Sequence, residues 1–168
     1  MINCIFSDVS ERDMDLFISE EIVSSFDFLA LFLQKVGRVS ATVSSVELSK
    51  SDAVLGESDI TAIIESNGEN IGLLIEDKID AIAMPNQAMR YILREQKGIE
   101  QGDFTKFYVF IVAPQKYLSE NREAKEYENC ISYEEFLEFF SSRKDNRSVY
   151  KAQQIKQAIY KQKTGYQL

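Results

Sequence analysis

The pentapeptide Ser66-Asn67-Gly68-Glu69-Asn70 stands between two apolar runs, Ile60-Thr61-Ala62-Ile63-Ile64 and Ile71-Gly72-Leu73-Leu74-Ile75. An Asn-Gly pair in that setting predicts a tight hairpin turn, because the central residues must take positive φ and these two do so at least cost. Two antiparallel strands follow, over about residues 59–66 and 71–79. The second is apolar at successive positions, hence on both faces, which predicts a central strand in a sheet covered on both sides. A turn near Gly68 also sets the register, with Asp59 opposite residues 76–78.

The rest of the chain arranges itself around this hairpin. Ser10-Glu11-Arg12-Asp13 has the form of a helix start, and Phe17, Ile22, Val23, Phe26, Leu29 and Leu33 recur at helical spacing. These predict one long helix over 10–36, closed near Gly37. Residues 40–48 read as a strand, 86–97 as a helix bracketed by Pro85 and Gly98, and 107–112 as a buried strand. Ser132-Tyr133-Glu134-Glu135 opens a short helix to about 142, and 147–163 forms a last, largely polar helix. The order predicts an α/β fold, a mixed central sheet flanked by helices with further helices at the C-terminus. In 168 residues, two prolines and seven glycines leave little for linkers. The expectation is one unit, a core over 1–142 with a basic helical extension over 143–168.

The chain has no histidine, which excludes Ser-His-Asp and Cys-His machinery, histidine zinc ligands and an imidazole base. Catalysis would fall to carboxylates, lysines, tyrosines or a bound ion. Cys4 and Cys130 are too few for a disulfide framework and are expected as small buried hydrophobes. Met1 to Asp15 lacks a basic region followed by an apolar stretch, and Phe28–Leu33 is far short of the roughly 20 residues that span a bilayer. The expectation is a reduced, cytoplasmic protein with no membrane partner. Net charge is −8, unevenly placed: 12 basic and 26 acidic residues in 1–142, against seven basic and one acidic in 143–168. The basic segment is either a solvated helix that neutralises an acidic body or a cationic element that tracks a polyanion.

Chemistry concentrates where Leu73-Leu74-Ile75 runs into Glu76-Asp77-Lys78. Charges at the end of a buried strand are expensive to desolvate unless paired or ion-bound. Strand alternation sends Glu76 and Lys78 to one face and Asp77 to the other, and the hairpin brings Asp59 across. Glu95-Gln96-Lys97 and Glu123-Ala124-Lys125 share the acid-x-Lys spacing but lie in polar sequence, where they read as surface charges. For Glu76-Asp77-Lys78 a structural salt bridge is the plain alternative. On the helix after Pro85, Gln87 and Tyr91 are four residues apart with Arg90 and Arg94 adjacent, giving a polar stripe or simply a solvent-facing side.

Together Gly56-Glu57-Ser58-Asp59-Ile60, Leu74-Ile75-Glu76-Asp77-Lys78-Ile79 and Gln87-Ala88-Met89-Arg90-Tyr91 resemble the PD-(D/E)xK nuclease superfamily, in the branch with a Gln-x-x-x-Tyr helix motif. The resemblance covers about residues 10–115 and departs at Ser58, where the superfamily's proline would stand. It implies a restriction-endonuclease-like αβββαβ core and metal-dependent hydrolysis of phosphodiester bonds in nucleic acid, DNA foremost. It further implies Mg²⁺, with Mn²⁺ as substitute, on Asp59, Glu76 and the carbonyl of Asp77, with an acid from the first helix, Glu20 or Glu21, of which Glu21 lies nearer the apolar face and is preferred. Lys78 would orient the attacking water and steady the phosphate. It sits between carboxylates that keep it protonated, so electrostatic support is expected of it rather than a base role. Gln87 completes the implied catalytic set, and Arg90, Tyr91, Arg94 and Lys151 are the implied nucleic-acid contacts. The other reading is a catalytically silent module of the same fold that engages a protein partner. The end of the chain at Gly165–Leu168 is compatible with a homodimer or an added recognition domain.

Overall fold

The structure is a computed structural model that describes residues 1–52, 56–81 and 86–164. Pro85, expected at a helix start, and the chain end at 165–168 lie outside the described residues. Two helices, α1 (Glu11–Ser24) and α2 (Phe26–Lys35), lead into strands β1 (Thr42–Asp52), β2 (Gly56–Ser66) and β3 (Glu69–Asp77). Then come α3 (Gln87–Glu100), β4 (Lys106–Ala113), α4 (Gln115–Glu120), a 3₁₀ turn (Glu123–Glu126), β5 (Asn129–Ser132), α5 (Tyr133–Ser141) and α6 (Asn146–Thr164). The protein is α/β, with one five-stranded mixed sheet in the order β1-β2-β3-β4-β5. The β1–β2 and β2–β3 pairs are antiparallel, β3–β4 and β4–β5 parallel.

The hairpin forms as its turn residues dictate. Asn67 and Gly68 take φ of 53° and 78°, and Ser66 pairs with Glu69. That register continues to Ile60 opposite Ile75, so the next pair outward is Asp59 and Glu76. The alternation of β3 then divides the protein. Ile71, Leu73 and Ile75 pack with α1, α2, α5 and α6 around Phe17, Phe28, Phe32, Phe136 and Phe140. Leu74 turns the other way, onto Tyr91 of α3 and Val109 of β4.

Four expectations need correction. The single helix over 10–36 is two helices. Ser25 is extended (φ −132°, ψ 108°), and its hydroxyl accepts from Phe28 N–H to cap α2. The apolar spacing runs across the break, yet Val23 and Phe26, which bridge it, are exposed, whereas Phe17, Ile22, Leu29 and Leu33 are buried. Gly98 does not end α3, which runs on to Glu100. It is glycine because Phe104 lies against it, where a Cβ would stand 2.5 Å from the ring. The last helix is less polar than its composition suggests, since Ala152, Ile155, Ala158 and Ile159 join the main core. Cys130 is exposed on β5 and Cys4 is half-buried, so neither is the buried hydrophobe expected. Among the described residues no helix is long and apolar enough to cross a membrane.

Candidate functional site

The C-terminal end of β3 is the place where polar groups enter the interior. Glu76 is 1% exposed, and Asp77 is fully buried. Glu76 faces α3, where Tyr91 donates its hydroxyl to Oε2 and Gln87 donates Nε2–H to Oε1. Lys78 Nζ lies 2.8 Å from the same Oε1. Four residues along α3 separate Gln87 from Tyr91, and that one turn is what lets the two side chains grip both oxygens of one carboxylate. From β2, Asp59 reaches the same end of the sheet and accepts from Asp77 N–H at 2.8 Å. An extended residue directs its N–H and C=O to the same neighbouring strand, so the Asp77 carbonyl also faces Asp59.

The Asp77 side chain takes the opposite face, as alternation requires. Tyr133, the first residue of α5, donates its hydroxyl to Asp77 Oδ1. Asp15 of α1, 5% exposed, lies beside Asp77, and among the described residues its Oδ1 and Asp77 Oδ2 are buried without a hydrogen-bond partner. One turn earlier, Glu11 accepts from Ile79 N–H at 3.0 Å and stands 4.0 Å from Lys78 Nζ. The acids that α1 brings to this end are thus Glu11 and Asp15. Glu21 is elsewhere: it is buried at 2.6 Å from Arg147 and 3.8 Å from Lys151, both of α6. Its expected metal role is therefore corrected. Ranking Glu20 against Glu21 by closeness to the apolar face missed Asp15, which stands among the buried Met14, Phe17 and Ile18. An acid flanked by core residues in the first turns of the helix was the available signal.

Electrostatics follow from burial. Desolvation first, and the Glu76 carboxylate second, push Asp59 up to about 8, against the pull of the Asp77 N–H. Burial raises Asp15 to about 6, and burial together with the Asp15 carboxylate beside it raises Asp77. Burial works to lower the Lys78 pKa, but the carboxylates of Glu76, Glu11 and Asp59 outweigh it and hold the ammonium above its ordinary value. Lys78 is charged at every physiological pH.

Other expected contacts land differently. Arg90 is exposed on α3. Tyr91 is fully buried against Glu76, and Arg94, 7% exposed, lies over the Tyr91 ring at 4.8 Å. Tyr91 and Arg94 are thus corrected from nucleic-acid contacts to interior groups, because they share the inward side of α3 with Gln87. Lys151 is corrected in the same way. It is 7% exposed, 4.3 Å above the Phe17 ring, and paired with Glu20 at 3.5 Å. Arg143 pairs with Asp27, Arg147 with Glu20 and Glu21, and Lys161 with Asp8. Of the two readings of the basic segment, the structure favours the neutralising helix.

Asp59, Glu76 and the Asp77 carbonyl form an oxygen donor set of the hard kind that Mg²⁺ takes. Burial first, and the Glu76 carboxylate second, raise the Asp59 pKa, and a cation beside it opposes both. Among the described residues no group of three or more His, Cys, Asp or Glu side chains that could hold a metal ion is found. An ion held by one or two carboxylates, with waters and substrate completing its shell, fits that set; a dedicated protein cage does not. No family model, no curated protein and no solved structure matches this chain.

Proposed function

We propose that this chain is a metal-dependent nuclease on a restriction-endonuclease-like αβββαβ core, hydrolysing phosphodiester bonds of nucleic acid, DNA foremost. The observation that carries the reading is the meeting of Asp59 with Glu76 and Lys78 at one strand end, where both elements of the Gln-x-x-x-Tyr motif close on Glu76. In support, the three motif blocks converge although they come from β2, β3 and α3. A structural salt bridge needs Glu76 and Lys78 alone; it gives no reason for a half-buried Asp59 to stand beside them with a raised pKa.

A divalent ion, when bound, supplies positive charge to the phosphate and acidity to the attacking water. The chain's own residues divide the remaining tasks. Asp59 and Glu76 would hold the ion. Gln87 and Tyr91 fix the Glu76 carboxylate in one orientation, so no reorganisation is needed as charge develops. Lys78, protonated throughout, donates to a phosphate oxygen and aligns the water, and cannot serve as base in that state. A catalytically silent module is the second reading. It is favoured by the occupation of both Glu76 oxygens within the protein and by the burial of Arg94 and Lys151.

The test is cleavage of supercoiled plasmid and of labelled single- and double-stranded oligonucleotides with Mg²⁺ or Mn²⁺, beside melting with and without metal. Metal-dependent cleavage that disappears in a folded Asp59→Ala variant supports the enzyme. Absence of both cleavage and any metal-induced rise in Tm overturns it in favour of the silent module.

A further inference from the structure

Away from the carboxylates, a cavity of about 230 Å³ opens between α3, the first half of β4 and the segment after the 3₁₀ turn. Ala88, Ile92, Phe107 and Tyr127 line it, the exposed Glu126 and Glu128 form its rim, and the Tyr108 ring beside it packs toward the main core on the other face of the sheet. It is smaller than the roughly 300–1,000 Å³ of a drug-sized ligand site and matches one side chain. Both rim glutamates are exposed, and among the described residues neither makes an ion pair. The Tyr127 hydroxyl is buried with no hydrogen-bond partner. The backbone beside the cavity is open as well. β5 pairs with β4 only from Phe110 onward, so the edge over 106–109 has no strand partner, apart from Asn129 Nδ2–H donating to Val109 O.

We infer that this cavity receives an arginine or lysine side chain of a basic protein partner, carried on an extended segment laid along the β4 edge. Aromatic walls take the aliphatic stem and the face of the cation, and the rim carboxylates take its charge. The free edge takes main-chain hydrogen bonds, the mode in which a strand is added to a sheet. Charge decides against nucleic acid as the occupant. No basic side chain lines the cavity, its rim is acidic, and residues 1–142 carry 26 acids against 12 bases. This inference does not depend on the nuclease reading.

The experiment follows the aromatic resonances of Phe107 and Tyr127 by NMR, with Tyr108 on the other face of the sheet as an internal control. The protein is titrated with a short Gly/Ser peptide carrying one arginine, the same peptide with citrulline, and a tetradeoxycytidine. Saturable shifts with the arginine peptide are expected, weakened at least tenfold by citrulline and by the Glu126→Gln/Glu128→Gln double variant. That variant changes only exposed groups, and an unaltered Tm shows that it folds. Asp59→Asn protein binds the peptide as wild type does, whatever becomes of its cleavage activity. Equal binding of the citrulline peptide, shifts induced by the oligonucleotide instead, or no saturation at millimolar peptide overturns the inference.

Discussion

Replacing Asp59 by Asn tests the electrostatic account most directly, because the two residues have the same shape and Asn can still accept from Asp77 N–H. With a folded-state pKa of about 8 against an unfolded value near 3.8, the folded protein keeps a proton that the unfolded chain has released. Between about pH 4 and 8 unfolding therefore sheds a proton, and stability falls as pH rises, by up to about 1.4 kcal/mol per pH unit for this group. From pH 5 to 8 that is at most about 4 kcal/mol. Solvent reaching this partly exposed carboxyl, and relaxation around it, reduce it to about 2 kcal/mol. Asp15, raised to about 6, adds to the slope at the acid end of the window. The assay is urea denaturation of metal-free protein at intervals from pH 5 to 8.5. Wild type is expected to lose stability steadily. Asp59→Asn should match wild type near pH 5 and exceed it by about 2 kcal/mol at pH 8. A wild-type profile flat over that range, with no gain for the variant at pH 8, would refute the apposition of Asp59 and Glu76.

Three further outcomes are expected. Tyr91→Phe leaves Glu76 Oε2 buried without its donor and should cost about 1–3 kcal/mol in denaturant midpoint, with cleavage falling more steeply than stability. Gly98→Ala would normally add about 1 kcal/mol in a helix. Here the new Cβ meets Phe104, whose other side is closed by Gly72, where a Cβ would stand at 3.1 Å. The thermal melt should therefore drop, by about 1–2 kcal/mol net. Arg147→Ala takes the nearest cation from buried Glu21 and leaves Lys151 at 3.8 Å as the residual partner. A loss of about 1–3 kcal/mol, largely repaired by adding Glu21→Gln, is expected from a double-mutant cycle.

Much of the site was readable from the sequence because its geometry is local to a hairpin. Once Asn67-Gly68 sets the turn, pairing places Asp59 beside Glu76, and strand alternation sends Asp77 to the far face; both hold. The i, i+4 spacing of Gln87 and Tyr91 foretold a shared helix side, yet not that it faces inward onto Glu76. That direction depends on how α3 packs over β3 and β4, which no local pattern carries. The break at Ser25 was hidden because Val23 and Phe26 fit the helical spacing of the buried Phe17, Ile22, Leu29 and Leu33, although both are exposed. Tyr133 and Asp15 come from elements 118 residues apart in sequence and meet Asp77 only through the tertiary fold. β5, four residues long, and the short α4 lack the length for a period to show.

The proposed division between holding an ion and performing hydrolysis can be separated at Lys78. Its ammonium is 2.8 Å from Glu76, and the fields of Glu11 and Asp59 also act on it. Lys78→Met removes that charge from beside the buried Glu76 and should destabilise metal-free protein by about 3 kcal/mol at pH 8, and by less at pH 5, where Asp59 holds its proton. Lys78→Arg keeps the charge and supplies a folded comparison. Neither substitution touches Asp59, Glu76 or the Asp77 carbonyl. Under the nuclease reading, both variants should still gain thermal stability from Mn²⁺, and Lys78→Met the more, because added positive charge then replaces what the ammonium gave. Cleavage should nonetheless fall by at least a hundredfold in Lys78→Met, since no donor remains for the phosphate oxygen. A silent module predicts no Mn²⁺ response in either variant. A Lys78→Met protein that cuts like wild type would show that Lys78 serves only to balance Glu76, and would return Glu76 and Lys78 to the structural ion pair that their spacing alone first allowed.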